Sequence, residues 1–354
     1  MKILILTPIL SGLGGVSSHI NGLKPHWTID VGHHEYGKNR FNDSRFVAVF
    51  KYIWQYITFI IKVISYDVVL INPSFRKFQL IRDGIFLLTS RLLGKQLIVM
   101  FHGFDVNLAN EYIAKNNRLF KWVYNQCEFM YTLYSGFKQQ LIQLGITKPI
   151  MLTTTKVADS LLVDFDLACR DGCIKTLLFV ARVEETKGIY ITIDAFALLK
   201  NKYPYLKLIV CGDGTELFNV KNYVKKLGIE NVIFTGAISQ EQVSDYYKTS
   251  DIFILPTYFE GMATSILEAM AFGLPIVSTP VGGIQDFFIQ DKMGKLIESK
   301  SSRVYADVIE EYICNNYLVR QISKYNHYYA VEHFLASRVV LRIENDIKEY
   351  LVNN

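Results

Sequence analysis

Short apolar runs of strand length alternate with amphipathic runs of helical length along most of this chain. The alternation is clearest in the second half. It predicts strands at Thr176–Val180, Leu206–Cys211, Val232–Phe234, Ile252–Leu255 and Ile276–Ser278. Helices are predicted from Lys187–Gly188 to about Tyr203, and at Leu217–Leu227, Gln240–Lys248 and Ser265–Phe272. Strands that alternate with helices in this way build a parallel, doubly wound sheet. The first half has the same habit, with strands at Lys2–Thr7, Asp67–Ile71, Gln96–Phe101 and Glu128–Thr132 and helices at Ile85–Leu93 and Ser135–Leu144. Around Thr153–Asp166 no period is visible, so this stretch reads as a connection between two α/β domains, 1–166 and 167–334. Two such domains facing each other would gather their strand-end loops into one interdomain cleft.

One helix of the first domain has an unusual pattern. Over Phe46–Ser65, Lys51, Gln55, Thr58 and Lys62 form one narrow polar stripe, and the rest, including Trp54, Tyr56, Phe59 and Ile60, is apolar. Either the stripe faces water and the apolar remainder packs on a sheet, or the aromatic face enters a lipid headgroup layer with Arg45, Lys51 and Lys62 near anionic lipid.

Charge adds an asymmetry. Residues 1–166 hold 18 Lys and Arg against 11 Asp and Glu, whereas the remainder holds 20 against 22. A basic first half points to an anionic surface or substrate on that side. No nucleic-acid-binding motif accompanies it, so a membrane surface is the better candidate. Pro8 and the glycines after it break the opening apolar run early, which argues against a signal peptide, and no apolar run reaches the roughly 20 residues a spanning helix needs. Five cysteines without framework spacing fit a reducing cytoplasm. Cys169 and Cys173 have no second pair or nearby histidine, so a zinc site is not expected.

Candidate chemistry concentrates at Glu260–Gly283, EGMATSILEAMAFGLPIVSTPVGG. Thr264 or Ser265 can cap the helix that follows the loop, and Gly273 and Pro275 end it. Glu260 in the loop and Glu268 on the helix flank a helix N-terminus, whose N–H groups suit an anion. A phosphate centre with hydroxyl-rich ends, as in a nucleotide sugar, matches that arrangement. Two more loops follow strands: ARVEETKG, with Arg182 and Lys187, and CGDG, Cys211–Gly214, a candidate to pass near a base. A guanidinium and an ammonium can neutralise a diphosphate, although surface cations are the plainer reading of the pair alone. In the first domain, Gly12, Gly14 and Gly15 in SGLGGVSSH would let a backbone approach a ligand, or simply form a turn. His102 of HGFD sits at the end of a strand, where a parallel sheet places ligands, although a lone histidine is equally a hydrogen-bonded structural residue.

Taken together, ARVEETKG, the stretch NVIFTGAISQEQVSDYYKTSDIFILPTYFEGMATSILEAMAFGLPIVSTPVGG, the glycine loop and HGFD resemble the family-4 group of retaining glycosyltransferases, which have the GT-B fold. The similarity is strong over roughly 175–300 and looser elsewhere. It implies a helix at about 335–354 that packs back on the first domain. It implies that Glu260 faces the donor sugar and Glu268 the ribose, that Arg182 and Lys187 hold the diphosphate, and that Gly14 and Gly15 approach the same phosphates. His102 would stand beside the transferred sugar. Further donor contacts would come from Gly212, Ile238, Gly261, Met262, Ala263 and Thr264. Members work without a bound metal, so no cofactor is expected; Arg182, Lys187 and the helix dipole would replace the cation. Two departures stand out: Asp286 occupies a position where glutamate is common, and Thr153–Asp159 replaces the usual asparagine-glycine at the domain junction.

The resemblance implies transfer of a sugar from a nucleotide diphosphate, commonly a UDP-sugar, with retained anomeric configuration. The basic first half, with Asp105, Lys51, Trp54 and Lys62 on its acceptor or membrane side, favours a glycan or polyprenyl-linked acceptor in cell-surface polysaccharide synthesis, as for lipopolysaccharide, O-antigen or capsule. The expected location is cytoplasmic, peripheral on the inner face of the membrane. Two other readings stay open: a nucleotide-sugar epimerase on the same fold, and a non-enzymatic membrane scaffold with a vestigial donor site.

Overall fold

The computed structural model describes residues 1–11, 14–37 and 45–352, and the side chains of all of these except 45, 46, 48 and 352. Gly12 of the glycine loop and the Arg45 side chain lie outside the described residues. The chain divides into two compact units, Met1–Lys156 with Ala336–Asn354, and Val157–Leu335. The crossing at Val157 comes before the boundary drawn at 166, because Val157 donates to the Phe334 carbonyl and bridges Leu335.

Unit 1 contains a six-stranded parallel sheet. Its chain order is β1 (Lys2–Pro8), α1 (Gly15–Leu23), β2 (Asp30–Tyr36), α2 (Arg45–Val63), β3 (Val68–Ile71), β4 (Ser74–Phe75) and α3 (Lys77–Leu92). There follow β5 (Gln96–Phe101), β6 (Gly103–Phe104), α4 (Val106–Ala114), α5 (Arg118–Tyr124), β7 (Phe129–Thr132), α6 (Ser135–Gln143) and β8 (Ile150–Leu152). The sheet order is β2-β1-β3-β5-β7-β8, and β4 and β6 form a separate two-residue pair. Strand residues alternate between faces with period two. Leu4, Leu6, Val69 and Val99 pack into one core layer, and Ile3, Ile5, Val68 and Ile98 into the other.

Unit 2 repeats the plan with β9 (Thr176–Val180), α7 (Ile189–Lys202), β10 (Lys207–Cys211), α8 (Leu217–Lys226), β11 (Val232–Gly236), α9 (Gln240–Thr249) and β12 (Ile252–Leu255). It continues with α10 (Thr264–Ala271), β13 (Ile276–Ser278), β14 (Gly294–Leu296), α11 (Ser302–Ile313) and α12 (Asn316–His333). The sheet order is β11-β10-β9-β12-β13-β14, again all parallel. The last helix, α13 (Ala336–Val352), belongs to unit 1, where Val339, Val340 and Ile343 join the core layer of α1. Its Glu344 is buried and accepts from the Thr28 N–H at 2.6 Å, and Tyr131 donates to Asp346 at 2.8 Å.

Helix α2 answers the question left open by its sequence. Two residues of its polar stripe, Gln55 and Lys62, turn to the edge strand β2, while Lys51 and Lys62 stay exposed. Gln55 exchanges hydrogen bonds with the Gly37 backbone at 3.0 and 3.2 Å, and Lys62 donates to the His33 carbonyl at 2.7 Å. Phe59 and Val63 are buried, while Phe50, Ile53, Trp54, Ile57, Ile61 and Ile64 are exposed, Trp54 by 67 %. Among the described residues, no helix is long and apolar enough to cross a membrane.

Candidate functional site

In unit 2 the loops after four strands meet at the carboxyl end of the sheet, where a doubly wound fold places ligands. The loop after β9 is tied to the loop after β10 by Val183 N–H to the Asp213 carbonyl at 3.0 Å. It is tied to the loop after β12 by Tyr258 N–H to the Thr186 carbonyl at 2.9 Å. The loop after β13 joins them through Gly283 N–H to the Gly261 carbonyl at 2.7 Å.

Two glycines make this lacing feasible. A Cβ on Gly212 would come within 2.0 Å of the Ala181 carbonyl oxygen, and one on Gly282 within 2.2 Å of that of Glu260. Both also have positive φ, +144° and +60°, a region side chains disfavour.

These contacts bring Lys187 and Glu260 together, with Nζ 2.6 Å from Oε1 and both side chains mostly buried, at 14 % and 18 % exposure. Lys187 also donates to the Phe259 carbonyl at 3.3 Å. From Glu260 the chain runs through Gly261 and Met262 into α10, with Ala263 at the N-cap. This corrects the expectation that Thr264 or Ser265 caps the helix: both lie inside it, and no side chain caps its start. The hydrogen bond that pins Gly261 to Gly283 fixes the approach, so helical geometry begins at Thr264. An uncapped helix start beside an ammonium offers N–H groups and positive charge to an anion.

Glu268 lies on α10, buried, and accepts from the Tyr247 hydroxyl at 3.0 Å and from Gln240 Nε2 at 3.4 Å. Tyr247 is itself fully buried, stacked on Phe272 at 5.4 Å, and burial followed by the nearby Glu268 carboxylate pushes its hydroxyl pKa well up. Sequence reasoning did not single out Tyr247 or Gln240. The i to i+7 spacing that puts both on one side of α9 was the available signal.

Arg182 does not join Lys187. Its guanidinium is exposed and donates to Glu184 at 2.6 Å. Each cation thus holds its own carboxylate. Ile238, after β11, is half-buried against the unit 2 core, as is Met262. Asp286 is exposed at the end of the 3-10 turn Gly282–Asp286.

In unit 1, Gly14 caps α1 and Gly15 opens it. A Cβ on either would meet nothing within 4 Å, so the protein's own packing does not call for glycine there. His102 follows β5, with Nε2 2.8 Å from Asn72 Oδ1. Burial lowers its pKa to about 4, so the ring is neutral at pH 7. Its ring centroid is 5.1 Å from that of His19, a fully buried imidazole on α1 whose pKa is also well lowered, by burial, then His102 and Lys156. Asp105 is the N-cap of α4, where its carboxylate accepts from the Leu108 N–H at 3.1 Å.

Comparison with known proteins follows the same division. Residues 173–328 match the family Glycosyl transferases group 1. The chain is 27 % identical over 228 residues to the amylovoran biosynthesis glycosyltransferase AmsK of Erwinia amylovora, a match covering 62 % of this chain and 55 % of AmsK. The chain spans about half the length, or less, of the curated relatives it matches. Among solved structures, Anabaena Alr3699/HepE in complex with UDP superposes with a TM-score of 0.74 at 19 % identity, covering 99 % of this chain and 100 % of that one. Sucrose-phosphate synthase from Thermosynechococcus elongatus superposes with a TM-score of 0.74 at 16 % identity, covering 100 % of both chains. At these identities the likeness is one of fold, the GT-B fold.

Proposed function

We propose, on the premise that residues 173–328 match the family Glycosyl transferases group 1, that the protein transfers a sugar from a nucleotide diphosphate to a glycan or lipid-linked acceptor with retained anomeric configuration. The observation that carries this reading is the Lys187–Glu260 pair beside the uncapped start of α10. The leaving diphosphate would settle on Lys187 and the helix N–H groups, and Arg182 would leave Glu184 to join it. Charge developing in the transition state then meets donors already in place. Glu260 would bind the donor sugar's hydroxyls and Glu268 the ribose. Lys187 and α10 supply the positive charge, so the reading needs no metal. UDP is the favoured nucleotide, since HepE was crystallised with UDP and with UDP-glucose.

The acceptor side rests on unit 1. Helices α2, α3 and α5 adjoin, through Tyr56 to Thr89 at 2.5 Å and Tyr124 to the Leu80 carbonyl at 3.0 Å. They expose Trp54, Ile61, Phe78, Leu92, Leu119 and Trp122. They carry Lys51, Lys62, Lys77, Arg118 and Lys121, Arg91 is paired with Glu128 at 3.2 Å, and their sole acid, Asp83, is buried against Arg82 at 2.8 Å. An apolar face with cations and no exposed acid fits an anionic lipid surface, and hence a polyprenyl-linked acceptor on the cytoplasmic face of a membrane. A binding screen of nucleotide sugars, followed by nucleotide release with and without membrane extract, tests the proposal. Release that depends on extract supports transfer. Conversion of the sugar without extract supports an epimerase, and binding without turnover supports a scaffold.

A further inference from the structure

Asn72 follows β3 directly and is 2 % exposed. The chain beyond it is held beside the loop after β5 by the short pair β4 and β6, and by a hydrogen bond from the His102 N–H to the Pro73 carbonyl at 3.2 Å. The carboxamide therefore reaches two partners at once, the Leu6 carbonyl at 2.9 Å and His102 Nε2 at 2.8 Å. Its orientation follows from the chemistry of the first. A carbonyl oxygen only accepts, so the amide nitrogen must face Leu6 and the amide oxygen must face His102. That oxygen also only accepts, so His102 Nε2 must carry the hydrogen. In a neutral imidazole the remaining nitrogen, Nδ1, is then an unprotonated acceptor.

We propose that Asn72 is a positioning residue that locks His102 in the Nε2–H tautomer, so that Nδ1 is left as an acceptor for a hydroxyl of a ligand bound to this unit. This rests on the transfer reading for the identity of the ligand, but not for the tautomer. The surroundings hold the ring neutral as well as oriented. A proton on Nδ1 would add a cation beside His19 and, beyond it, Lys156, whose charge already disfavours protonation of the His19 ring. An acceptor-only atom binds a hydroxyl and discriminates against a ligand that lacks one, because a lone pair that the ligand covers without donating to it is unfavourable.

Nitrogen-15 spectra of the histidine side chains test the lock in the full chain without substrate, with the His102 signals assigned by their loss in H102Q. The expected result is a pyridine-type Nδ1 and a pyrrole-type Nε2, unchanged from pH 8 to about 5.5. In N72L the two nitrogens should move toward averaged values, and kcat/KM should fall roughly three- to tenfold, the scale of one net hydrogen bond. UDP affinity should not change. In N72D a carboxylate still accepts from Nε2, so the tautomer should persist, while the new negative charge raises the His102 pKa and brings an acid limb of activity toward neutrality. A pyrrole-type Nδ1 in the unmodified chain, or a His102 spectrum indifferent to N72L, overturns the lock. Failure to bind any nucleotide sugar would overturn the transfer reading and leave the spectra to decide the tautomer alone.

Discussion

Lys187 Nζ stands 2.6 Å from Glu260 Oε1, so the two groups proposed for opposite ends of a sugar diphosphate neutralise each other. A diphosphate has to draw the ammonium away from a carboxylate that then turns to the sugar. Replacing Lys187 by alanine removes the cation and leaves a mostly buried carboxylate facing the phosphates. Turnover should fall by roughly 10²–10³. Near-normal turnover of K187A with the correct donor would remove Lys187 from the mechanism. Adding E260Q to K187A should recover nucleotide affinity, measured by calorimetry, without recovering turnover.

Tyr247 to Phe deletes the hydroxyl that donates to Glu268. The buried carboxylate loses a partner at a cost of about 1–3 kcal/mol. If Glu268 holds the ribose equally in ground and transition states, KM for the donor should rise while kcat changes little. An unchanged KM with lowered stability would leave Tyr247 a purely structural residue.

The apolar face of α2 can be tested apart from the donor site. Trp54→Glu with Ile61→Glu should abolish flotation with vesicles containing phosphatidylglycerol at low salt, and leave UDP binding intact. Both positions are exposed, 67 % and 66 %, so the fold should tolerate the change. Flotation that survives the double substitution would move the contact elsewhere.

Unit 1 should be the acid-sensitive unit. Burial, followed by Lys62, lowers the pKa of His34 to about 4, and burial does the same to His102; His19 is lowered as well. A histidine whose folded pKa is depressed binds fewer protons than the unfolded chain, so its contribution is complete above about 6.5 and is lost as pH falls toward 4. The raised carboxyl pKa values of Asp83 and Asp346, both due first to burial, act in the opposite direction at lower pH. Hydrogen exchange at pH 7 and pH 5.5 should therefore show protection falling more in unit 1 than in unit 2. An equal fall in both would refute this.

How much of this could be read from the sequence depended on the kind of signal. Strands β9 to β13 are apolar runs bounded by turns, and they lie within a residue or two of their predicted positions. Strand β2, DVGHHEY, was missed because a glycine, two histidines and two acids give no apolar alternation. The narrow stripe on α2 was visible, but not its direction. That depends on which strand is at the edge, a matter of sheet order. At the site, Glu260 and Lys187 stood out as charges in strand-end loops, and Glu268 as a charge on the helix that follows one of them. Asn72 did not stand out, because its importance lies in two distances to residues far away in sequence. The splayed Arg182 was likewise invisible, since Glu184 is a neighbour rather than a motif.

The hydrogen bonds from Gln55 and Lys62 to the backbone beside β2 have a second consequence. β2 ends its sheet, and a bare sheet edge is a template on which another chain can add a strand. Two side chains of α2 occupy acceptors along that edge. The rotation that points tryptophan and isoleucine outward is the same one that shields the edge, so the protein hides a surface prone to self-assembly at the expense of exposing an apolar one.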